Sequence, residues 1–346
     1  MRLMQPGAAL VLPFLGATTL GLFPSLHGQE GLFTSDEPIE FVLEADWNKL
    51  DDDRGQESEE RPGRVLWTGP DGREISIPIE VKTRGFFRLQ RSTCFSPPLR
   101  LDFPGEGTEG TVFQGQDKLK LVTYCRDRDN YEQNVLEEYL AYRIYNLLTD
   151  ISFRVRLARI TYVDSRGEED PLTRMGFLIE DDDAMADRLG GRIMDVPGAP
   201  PSHFQQDQAA LMYVFQFMIG NTDWAMLQFH NLKALGVGRD YFPVPYDFDW
   251  SGLVDAPYAG PNPKIASVID NVRERLYMGM CNDAIDYPAV YARFDEEREA
   301  ILALPRSVPE LSEGNQQTAV RYLETFYEII DSEAAARRQI QDGCRR

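Results

Sequence analysis

The chain has little positive charge for its size. Its 346 residues include 36 lysines and arginines against 56 aspartates and glutamates, which gives a formal net charge of -20 at pH 7. Nucleic-acid binding depends on basic side chains that neutralise phosphates. The composition therefore argues against nucleic acid as a partner, and it suits a basic protein surface or a cation better.

Cysteine is also scarce, and the cysteines present lack the spacing of a zinc site. Cys94, Cys125, Cys281 and Cys344 form no C-x-x-C pair. In an oxidising compartment they can form disulfides, and we expect Cys94 with Cys125 first because these two flank predicted strands of one sheet. Four buried free thiols are the alternative.

Long apolar runs are absent after the N-terminus. Residues 1–28 contain Arg2 near the start, an apolar stretch over 8–23 and a short polar exit, which is typical of a secretory signal peptide. A membrane anchor, the alternative, needs about 20 well-packed apolar residues, and Pro13 and Gly16 interrupt this stretch. We therefore expect a secreted, periplasmic or cell-envelope protein that keeps no integral membrane segment after signal cleavage.

The first half of the chain shows the alternation of apolar and polar residues that is typical of strands. Strands are predicted over residues 41–43, 65–67, 75–82, 99–103, 118–122, 155–164 and 175–180. One helix interrupts them, because apolar residues recur at helical spacing from Tyr131 to Thr149. Residues 36–180 are therefore predicted to form a β-rich N-terminal lobe with one helix.

The second half, residues 181–346, is predicted to be mostly helical. Helices are expected over residues 205–219, 265–278, 287–303 and 315–341, with one hairpin at 232–235 and 242–245. The fold class that follows is α+β with two lobes, the plan of the protein-kinase-like folds, with a hinge near residues 180–183.

Four polar residues flank the predicted hairpin: Asp223, Asn231, Asp247 and Asp249. Antiparallel pairing brings Asn231, which precedes it, close to Asp247, which follows it. A carboxamide and a carboxylate there can share Mg²⁺ or Mn²⁺, since hard cations prefer oxygen ligands. Asp249 alternates with Phe248, so an extended chain would point Asp247 and Asp249 one way and the aromatic residues the other. Two adjacent carboxylates favour a cation between them.

Asp223 lies upstream of the hairpin, on a loop after an apolar helix. This position allows it to orient or deprotonate an incoming hydroxyl. The alternative is an ordinary turn residue, since Asn-Thr-Asp is turn chemistry. His230 is interpreted as a packed histidine and not as a metal ligand.

Basic residues that could meet phosphates lie in the β-rich half. Lys118 and Lys120 share one face of a predicted strand, and Lys120 with Glu138 of the following helix is the preferred phosphate-neutralising pair. Arg84 and Arg88 also suit phosphate, because guanidinium groups bind its oxygens bidentately. Exposed surface residues are the alternative for each.

Two further segments could face a nucleotide. Glu180 begins an E-D-D-D run that either meets an adenine ring through its backbone or is a solvated charge run. Residues 105–112 match G-x-G-x-x-G-x-V, but the two glutamates in this loop would repel phosphates. Only seven residues separate Val112 from Lys120, so we interpret the loop as a flexible acidic hairpin loop.

The order of these motifs resembles the spore-coat protein H (CotH) kinase family, from about residue 36 to residue 280. The likeness is carried by V-K-T-R-G-F-F-R (81–88), P-L-R-L-D-F (98–103), V-F-Q-G-Q-D-K-L-K-L (112–121), E-E-Y-L-A-Y-R-I-Y-N (137–146), G-F-L-I-E-D (176–181), G-N-T-D-W (220–224), H-N-L (230–232) and Y-D-F-D-W-S-G (246–252). The family consists of atypical, secreted or surface-associated kinases. The resemblance implies that Asp223 is the catalytic aspartate, Asn231 and Asp247 are metal ligands, and Asp249 is a second acid nearby.

One spacing departs from ordinary protein kinases. Their catalytic loop reads D-x-x-x-x-N, whereas seven residues separate Asp223 from Asn231 here. The resemblance and the residues together predict an exported atypical protein kinase that uses ATP and Mg²⁺ to phosphorylate Ser or Thr of a protein substrate. A catalytically inactive secreted scaffold or coat-binding protein is the alternative, and transfer of a nucleotidyl group is a third possibility.

Overall fold

The structure is a computed structural model that describes residues 31–55, 57–105, 107–196 and 198–345. The predicted signal peptide over residues 1–28 lies outside these ranges. No helix in the described ranges combines the length and the apolar character needed to cross a membrane.

Seven strands of the first half close into a barrel. They are β1 (Ile39–Ala45), β2 (Arg61–Thr68), β3 (Glu74–Thr83), β4 (Leu99–Asp102), β5 (Lys118–Val122), β6 (Val155–Asp164) and β7 (Leu172–Ile179). Their order around the barrel is β1-β2-β3-β4-β5-β7-β6. The barrel closes where β6 pairs in parallel with β1, in a register that runs from Ile39 opposite Ala158 to Ala45 opposite Asp164.

The alternating pattern of these strands fills the barrel. Apolar residues at every second position, such as Ile77, Ile79 and Val81 of β3, are buried in its interior. Phe113, from the loop between β4 and β5, stacks on Phe103 inside the barrel at a ring-centroid distance of 5.4 Å. This loop, which contains the glycine motif at 105–112, therefore anchors itself in the barrel core.

The predicted α+β, bilobal protein-kinase-like fold is wrong, because a closed seven-stranded barrel is not the small lobe of such a fold. All seven predicted strand positions are confirmed, and β5 and β6 have the predicted bounds. The error lies in how the strands associate. Closure depends on the pairing of β1 with β6, which are far apart in sequence, and local alternation carries no signal for such a contact.

Eight α-helices, two short 3-10 helices (Phe87–Leu89 and Pro201–His203) and a second sheet are found in the described residues. The helices are α1 (Trp47–Asp52), α2 (Asp129–Leu148), α3 (Asp182–Arg188), α4 (Gln206–Met218), α5 (Tyr287–Glu296), α6 (Arg298–Ser307), α7 (Glu313–Ile330) and α8 (Glu333–Ala336), and a π-helical turn (Arg337–Gln341) follows α8. The second sheet contains β8 (Arg192–Met194), β9 (Leu232–Val237) and β10 (Asp240–Pro245), in the order β10-β9-β8.

A second hydrophobic core joins the barrel to the helices. Outward-facing residues of the barrel wall, Val155, Leu157 and Phe177, pack in one cluster with buried residues of α2 and α4. The predicted helices at 131–149 and 205–219 are confirmed as α2 and α4. α2 is buried along much of its length, because it packs against the barrel wall on one side and against α4 on the other. It therefore connects the two halves of the chain.

Three predicted helices in the second half differ from the structure. Residues 265–278 form turns, bends and irregular chain instead of a helix, although Ile265, Ile269 and Val272 are buried at helical spacing. The helix predicted over 287–303 is divided at Glu297 into α5 and α6, and the one predicted over 315–341 ends at Ile330 and continues as shorter pieces. Burial at helical spacing thus does not require a continuous helix.

All four cysteines form disulfides. The predicted pair Cys94–Cys125 is confirmed, and Cys281 pairs with Cys344, so the alternative of free thiols is wrong. The second bond fastens the end of the described chain to the residues before α5, where Cys281 N–H also donates to the Arg345 carbonyl at 2.8 Å.

Candidate active site

A cleft of about 290 Å³ lies between the outer face of the barrel wall and the loops that flank the β9–β10 hairpin. Its lining residues are Arg84, Gly85, Phe86, Phe87, Arg88, Pro98, Lys120, Val122, Glu138, Tyr142, Ile179, Asp223, His230, Asn231, Tyr246, Asp247, Asp249 and Trp250. Eight of the ten residues predicted for the site are among them.

The loop after α4 brings Asp223 and Asn231 together. The Asn221 side chain accepts a hydrogen bond from the Asp223 N–H at 2.9 Å, which fixes a turn. Ala225 and His230 then exchange two backbone hydrogen bonds of 3.1 Å, closing off the residues between them as a small loop. As a result, Asn231 Nδ2 donates to the Asp223 carbonyl at 2.7 Å and to Asp223 Oδ2 at 3.2 Å. This loop accommodates the seven residues that separate Asp223 from Asn231.

The β9–β10 hairpin brings Asn231 to Asp247, as its pairing predicts. Leu232 lies opposite Pro245, and the Tyr246 N–H donates to the Asn231 carbonyl at 3.1 Å. Asn231 and Asp247 have φ angles of 54° and 65°, in the left-handed region that non-glycine residues rarely occupy. Such conformations cost roughly 1–3 kcal/mol each and concentrate at functional sites.

The predicted arrangement around Asp249 holds only in part. Asp247 and Asp249 both line the cleft, but Trp250 lines it as well, because the positive φ of Asp247 and the turn that follows break the extended alternation. Phe248 does point away and packs on the Tyr142 ring at 4.6 Å. The Tyr258 hydroxyl donates to Asp249 Oδ2 at 2.9 Å.

A buried ionic cluster forms the floor of the cleft. Arg88 lies 3.8 Å from the Glu138 carboxylate, and both side chains are almost fully buried. Burial, together with the charges of Asp249 and Asp247, raises the pKa of Glu138 well above its usual value. Burial alone would lower the pKa of Arg88, but Tyr258 and the surrounding carboxylates raise it, so Arg88 stays charged.

The predicted pairing of Lys120 with Glu138 is wrong. Lys120 forms its ion pair with Asp182, and Lys233 binds the other oxygen of Asp182 at 2.8 Å. The reason is topological: β5 pairs with the end of β7, and Asp182 begins the helix directly after β7. Burial lowers the pKa of Lys120 despite the nearby carboxylate. Lys120 therefore lines the cleft with its ammonium group already paired with the Asp182 carboxylate.

Two predicted residues do not line the cleft. Lys118 lies at the start of β5 and pairs with Asp117 at 3.5 Å. Glu180 is buried and bound to Arg188 at 2.8 Å, and it also accepts a hydrogen bond from the Arg154 N–H at 3.1 Å. The glycine motif at 105–112 is likewise outside the lining.

Sequence reasoning missed several residues around the cleft. His230 lines it, and its Nε2 lies 3.2 Å from Asp223 Oδ1; this hydrogen bond raises the pKa of His230. Asp182 was inside the acidic run that begins at Glu180, but nothing in that run distinguishes it from its neighbours. Lys233 alternates with buried residues of β9, and this alternation could have marked it as facing out of the hairpin.

The cleft presents oxygen donors that fit a hard divalent cation. Burial and then the charge of Asp247 raise the pKa of Asp249 to about 7, so the charge of Arg88 does not fully offset this carboxylate pair. Asn231 donates to Asp223 through its side-chain nitrogen Nδ2. Its side-chain oxygen Oδ1 is therefore left to bind another partner. Within the described ranges no group of three or more His, Cys, Asp or Glu side chains is arranged to hold a metal ion, so any such site would combine carboxylates with the Asn231 amide.

No protein-family model and no curated protein matches the chain. The likeness to the CotH kinase family therefore depends on the motifs and their order alone. All eight of those motifs contribute residues to the cleft lining; the segment 98–103, for example, contributes Pro98.

Proposed function

We propose that the chain is an exported phosphotransferase that uses ATP and Mg²⁺ or Mn²⁺ to phosphorylate a Ser or Thr hydroxyl of an extracytoplasmic protein. One observation carries the proposal: Asp223, Asn231, Asp247 and Lys120, from three separate segments, line one cleft. Phosphoryl transfer needs little beyond this set of groups, because its catalysis is mainly positioning and charge neutralisation.

Asp223 is the residue that receives the acceptor hydroxyl. Asn231 holds its Oδ2 and its carbonyl, and His230 holds Oδ1, so the carboxylate is fixed in orientation. It accepts the proton of the hydroxyl as the new oxygen–phosphorus bond forms and ADP leaves. His230 acts on Asp223 and is a positioning residue.

Asn231 and Asp247 are the residues that would hold the metal, with Asp249 beside them. When bound, the metal supplies positive charge to the nucleotide phosphates and orients them. Asp249 is held by the Tyr258 hydroxyl, and Asp247 by its own N–H, which donates to the Tyr142 hydroxyl at 2.9 Å. The buried Tyr142 therefore holds the backbone of Asp247, and the partly buried Tyr258 holds the carboxylate of Asp249.

The cationic side of the cleft suits the phosphates. Lys120 and Arg84 line it, and Asp182 holds Lys120 and Lys233 next to one another. Lys120 also lies over the Phe153 ring, with Nζ 4.7 Å from the centroid, which restricts the side chain. A cation held this firmly loses little entropy when it meets a phosphate.

The direct test is transfer from γ-labelled ATP with Mg²⁺ or Mn²⁺ to the protein itself and to a generic acceptor such as casein. We expect transfer by the wild type and a loss of at least about 100-fold in Asp223→Ala and Asp247→Asn. Lys118→Ala is the matched control, since Lys118 lies outside the cleft lining. Absence of transfer, or equal transfer by wild type and Asp223→Ala, would refute the proposal.

A non-catalytic binding protein is the second candidate, and the internal ion pairs of the cleft favour it. Lys120 and Arg88 are already paired with Asp182 and Glu138. A melting-temperature scan separates the two, because a ligand that binds only the folded state must stabilise it. Stabilisation by Mg-ATP that disappears in Asp247→Asn supports phosphotransfer. Labelling from α-labelled ATP would instead indicate nucleotidyl transfer.

A further inference from the structure

A second cavity, of about 690 Å³, lies at one end of the barrel. It is formed where β1, β5 and β6 end and β4 and β7 begin, with α1 along one side. We call it the mouth pocket and define it by Trp47, Tyr124, Tyr162, Asp164, Glu169 and Asp170. It shares no lining residue with the cleft, although Pro97 and Leu99 line the mouth pocket and Pro98 lines the cleft.

One wall of the mouth pocket is aromatic. The ring of Tyr162 lies 5.6 Å from that of Trp47 and 5.3 Å from that of Tyr124, and both contacts are edge-to-face. Rings in this arrangement present faces in different directions, and each face carries partial negative charge. A wall of this kind attracts a flat or rounded organic cation.

The charge of the lining has a single sign. It contains five carboxylates and no lysine, arginine or histidine. Asp51 and Asp127 are paired with arginines outside the pocket. Glu169 and Asp170 are exposed and make no ion pair with any described lysine or arginine. The pocket therefore carries uncompensated negative charge beside its aromatic wall.

Three buried polar atoms in this wall have no hydrogen-bond partner among the described residues: Trp47 Nε1, the Tyr162 hydroxyl and Asp164 Oδ1. Tyr162 is 6% exposed and Asp164 is 5% exposed, so neither side chain is well solvated. The other oxygen of Asp164 accepts the Glu168 N–H at 2.8 Å, and this bond and the backbone N–H groups of Arg166 and Trp47 lower the pKa of Asp164, so the carboxylate is ionised. A buried polar group left without a partner costs about 1–3 kcal/mol. A ligand that brings N–H donors could satisfy the Tyr162 oxygen and Asp164 Oδ1, whereas Trp47 Nε1 is itself a donor and is not satisfied by such a ligand.

We propose that the mouth pocket binds the guanidinium group of a ligand. A guanidinium has five N–H donors and no acceptor, so it complements the Tyr162 hydroxyl oxygen and the Asp164 carboxylate. Its planar, weakly hydrated face stacks on aromatic rings, which a lysine ammonium does less well. Glu169 and Asp170 supply long-range attraction at the rim. The proposal is independent of phosphoryl transfer, because none of its residues lines the cleft.

Calorimetric titration with two matched ligands tests the proposal. N-acetyl-arginine amide carries the guanidinium, and N-acetyl-citrulline amide replaces it with an uncharged urea of nearly the same shape. We expect the arginine compound to bind at least about tenfold more tightly and to weaken as salt is raised. Equal affinity for the two compounds, or no binding of either, would overturn the proposal.

Variants locate the site. Tyr162→Phe removes only the hydroxyl, and Asp164→Asn removes one charge; each should weaken binding about tenfold. Asp117→Asn is the matched control, because it removes the same charge from an exposed residue outside the pocket. If a buried substitution unfolds the chain, the exposed pair Glu169→Gln and Asp170→Asn still tests the charge. Unchanged binding in all these variants would exclude the mouth pocket.

A third ligand distinguishes the source of the guanidinium. Agmatine is a free small molecule, whereas an Ac-Gly-Arg-Gly-NH₂ peptide presents the group within a chain. Tighter binding of agmatine indicates a metabolite ligand, and tighter binding of the peptide indicates an arginine of a protein. Both outcomes support guanidinium recognition.

Discussion

Glu137 should make the protein less stable as the pH rises, and Glu137→Gln should remove that effect. Glu137 lies on α2, where Oε2 accepts a hydrogen bond from Asn134 at 3.1 Å and Oε1 accepts one from Asn315 of α7 at 3.0 Å. Burial raises its pKa from 4.5 to about 8, and the two amide hydrogen bonds only partly oppose the change. The neutral acid is therefore the form that the folded protein prefers.

The sign of the effect follows from proton binding. Between pH 4.5 and about 8 the folded protein holds a proton on Glu137 that the unfolded chain has released, so stability decreases as the pH rises. The full contribution is present below pH 4.5 and is lost above pH 8. A gap of about 3.5 pH units at about 1.4 kcal/mol each gives roughly 5 kcal/mol as the upper limit.

Glutamine, like the protonated acid, is uncharged at every pH, but its NH₂ group is a donor, so it keeps only one of the two hydrogen bonds from Asn134 and Asn315. In urea unfolding from pH 4.5 to 9, the free energy of Glu137→Gln should therefore rise by several kcal/mol relative to that of the wild type between the acid end and the alkaline end. Other titrating groups cancel in this difference. Glu324→Gln, an exposed substitution on α7, is the matched control and should run parallel to the wild type. Parallel curves for Glu137→Gln itself would refute the buried-acid interpretation.

Two further predictions concern stability, and a third concerns the reactivity of Lys120. Replacing Cys94 and Cys125 by serine opens a loop with a sequence separation of 31 and should cost about 3.7 kcal/mol in urea unfolding. Equal stability of this double variant and the oxidised wild type would contradict it. Gly220→Ala should cost more than Gly190→Ala: both have positive φ, but a Cβ at Gly220 would overlap the Tyr322 hydroxyl, whereas Gly190 has open space, so equal losses would exclude the clash. Asp182→Asn should leave Lys120 without its carboxylate and raise its labelling by amine reagents at pH 8 relative to exposed Lys264, whose labelling should not change.

Local patterns predicted the hairpin part of the cleft but not its other contacts. The pairing of β9 with β10 brings Asn231 to Asp247 by the geometry of two adjacent strands, and that geometry is readable from the sequence. Lys120 and its partner Asp182 lie on segments that meet only because β5 pairs with β7 and not with β6. Such a partner follows from strand order, which no local pattern specifies.

The barrel was missed for the same physical reason. Alternation specifies which face of a strand is buried, and the inward residues of β1 to β7 obey it. It does not specify whether a sheet stays open or closes on itself. Closure depends on one parallel contact, β1 with β6, between strands that several other elements separate along the chain.

The two hydrophobic cores together explain why a barrel can support a cleft of this kind. The wall formed by β5, β7 and β6 is buried on both faces: Leu121 and Ile160 pack inside the barrel, while Phe177 and Leu157 pack against α2 on the outside. Lys120 projects from the outer face of this wall, and Glu138 and Tyr142 project from α2. A wall packed on both sides cannot shift without disturbing both cores. The position of Lys120 is therefore fixed by the barrel wall, and those of Glu138 and Tyr142 are fixed by α2. Asp223, Asn231 and Asp247 are instead placed by the hairpin and its loops. A change in the width of the cleft would therefore come from its loops: the segment 84–87, where Phe86 is 75% exposed, or the hairpin side, where the left-handed residues Asn231 and Asp247 lie.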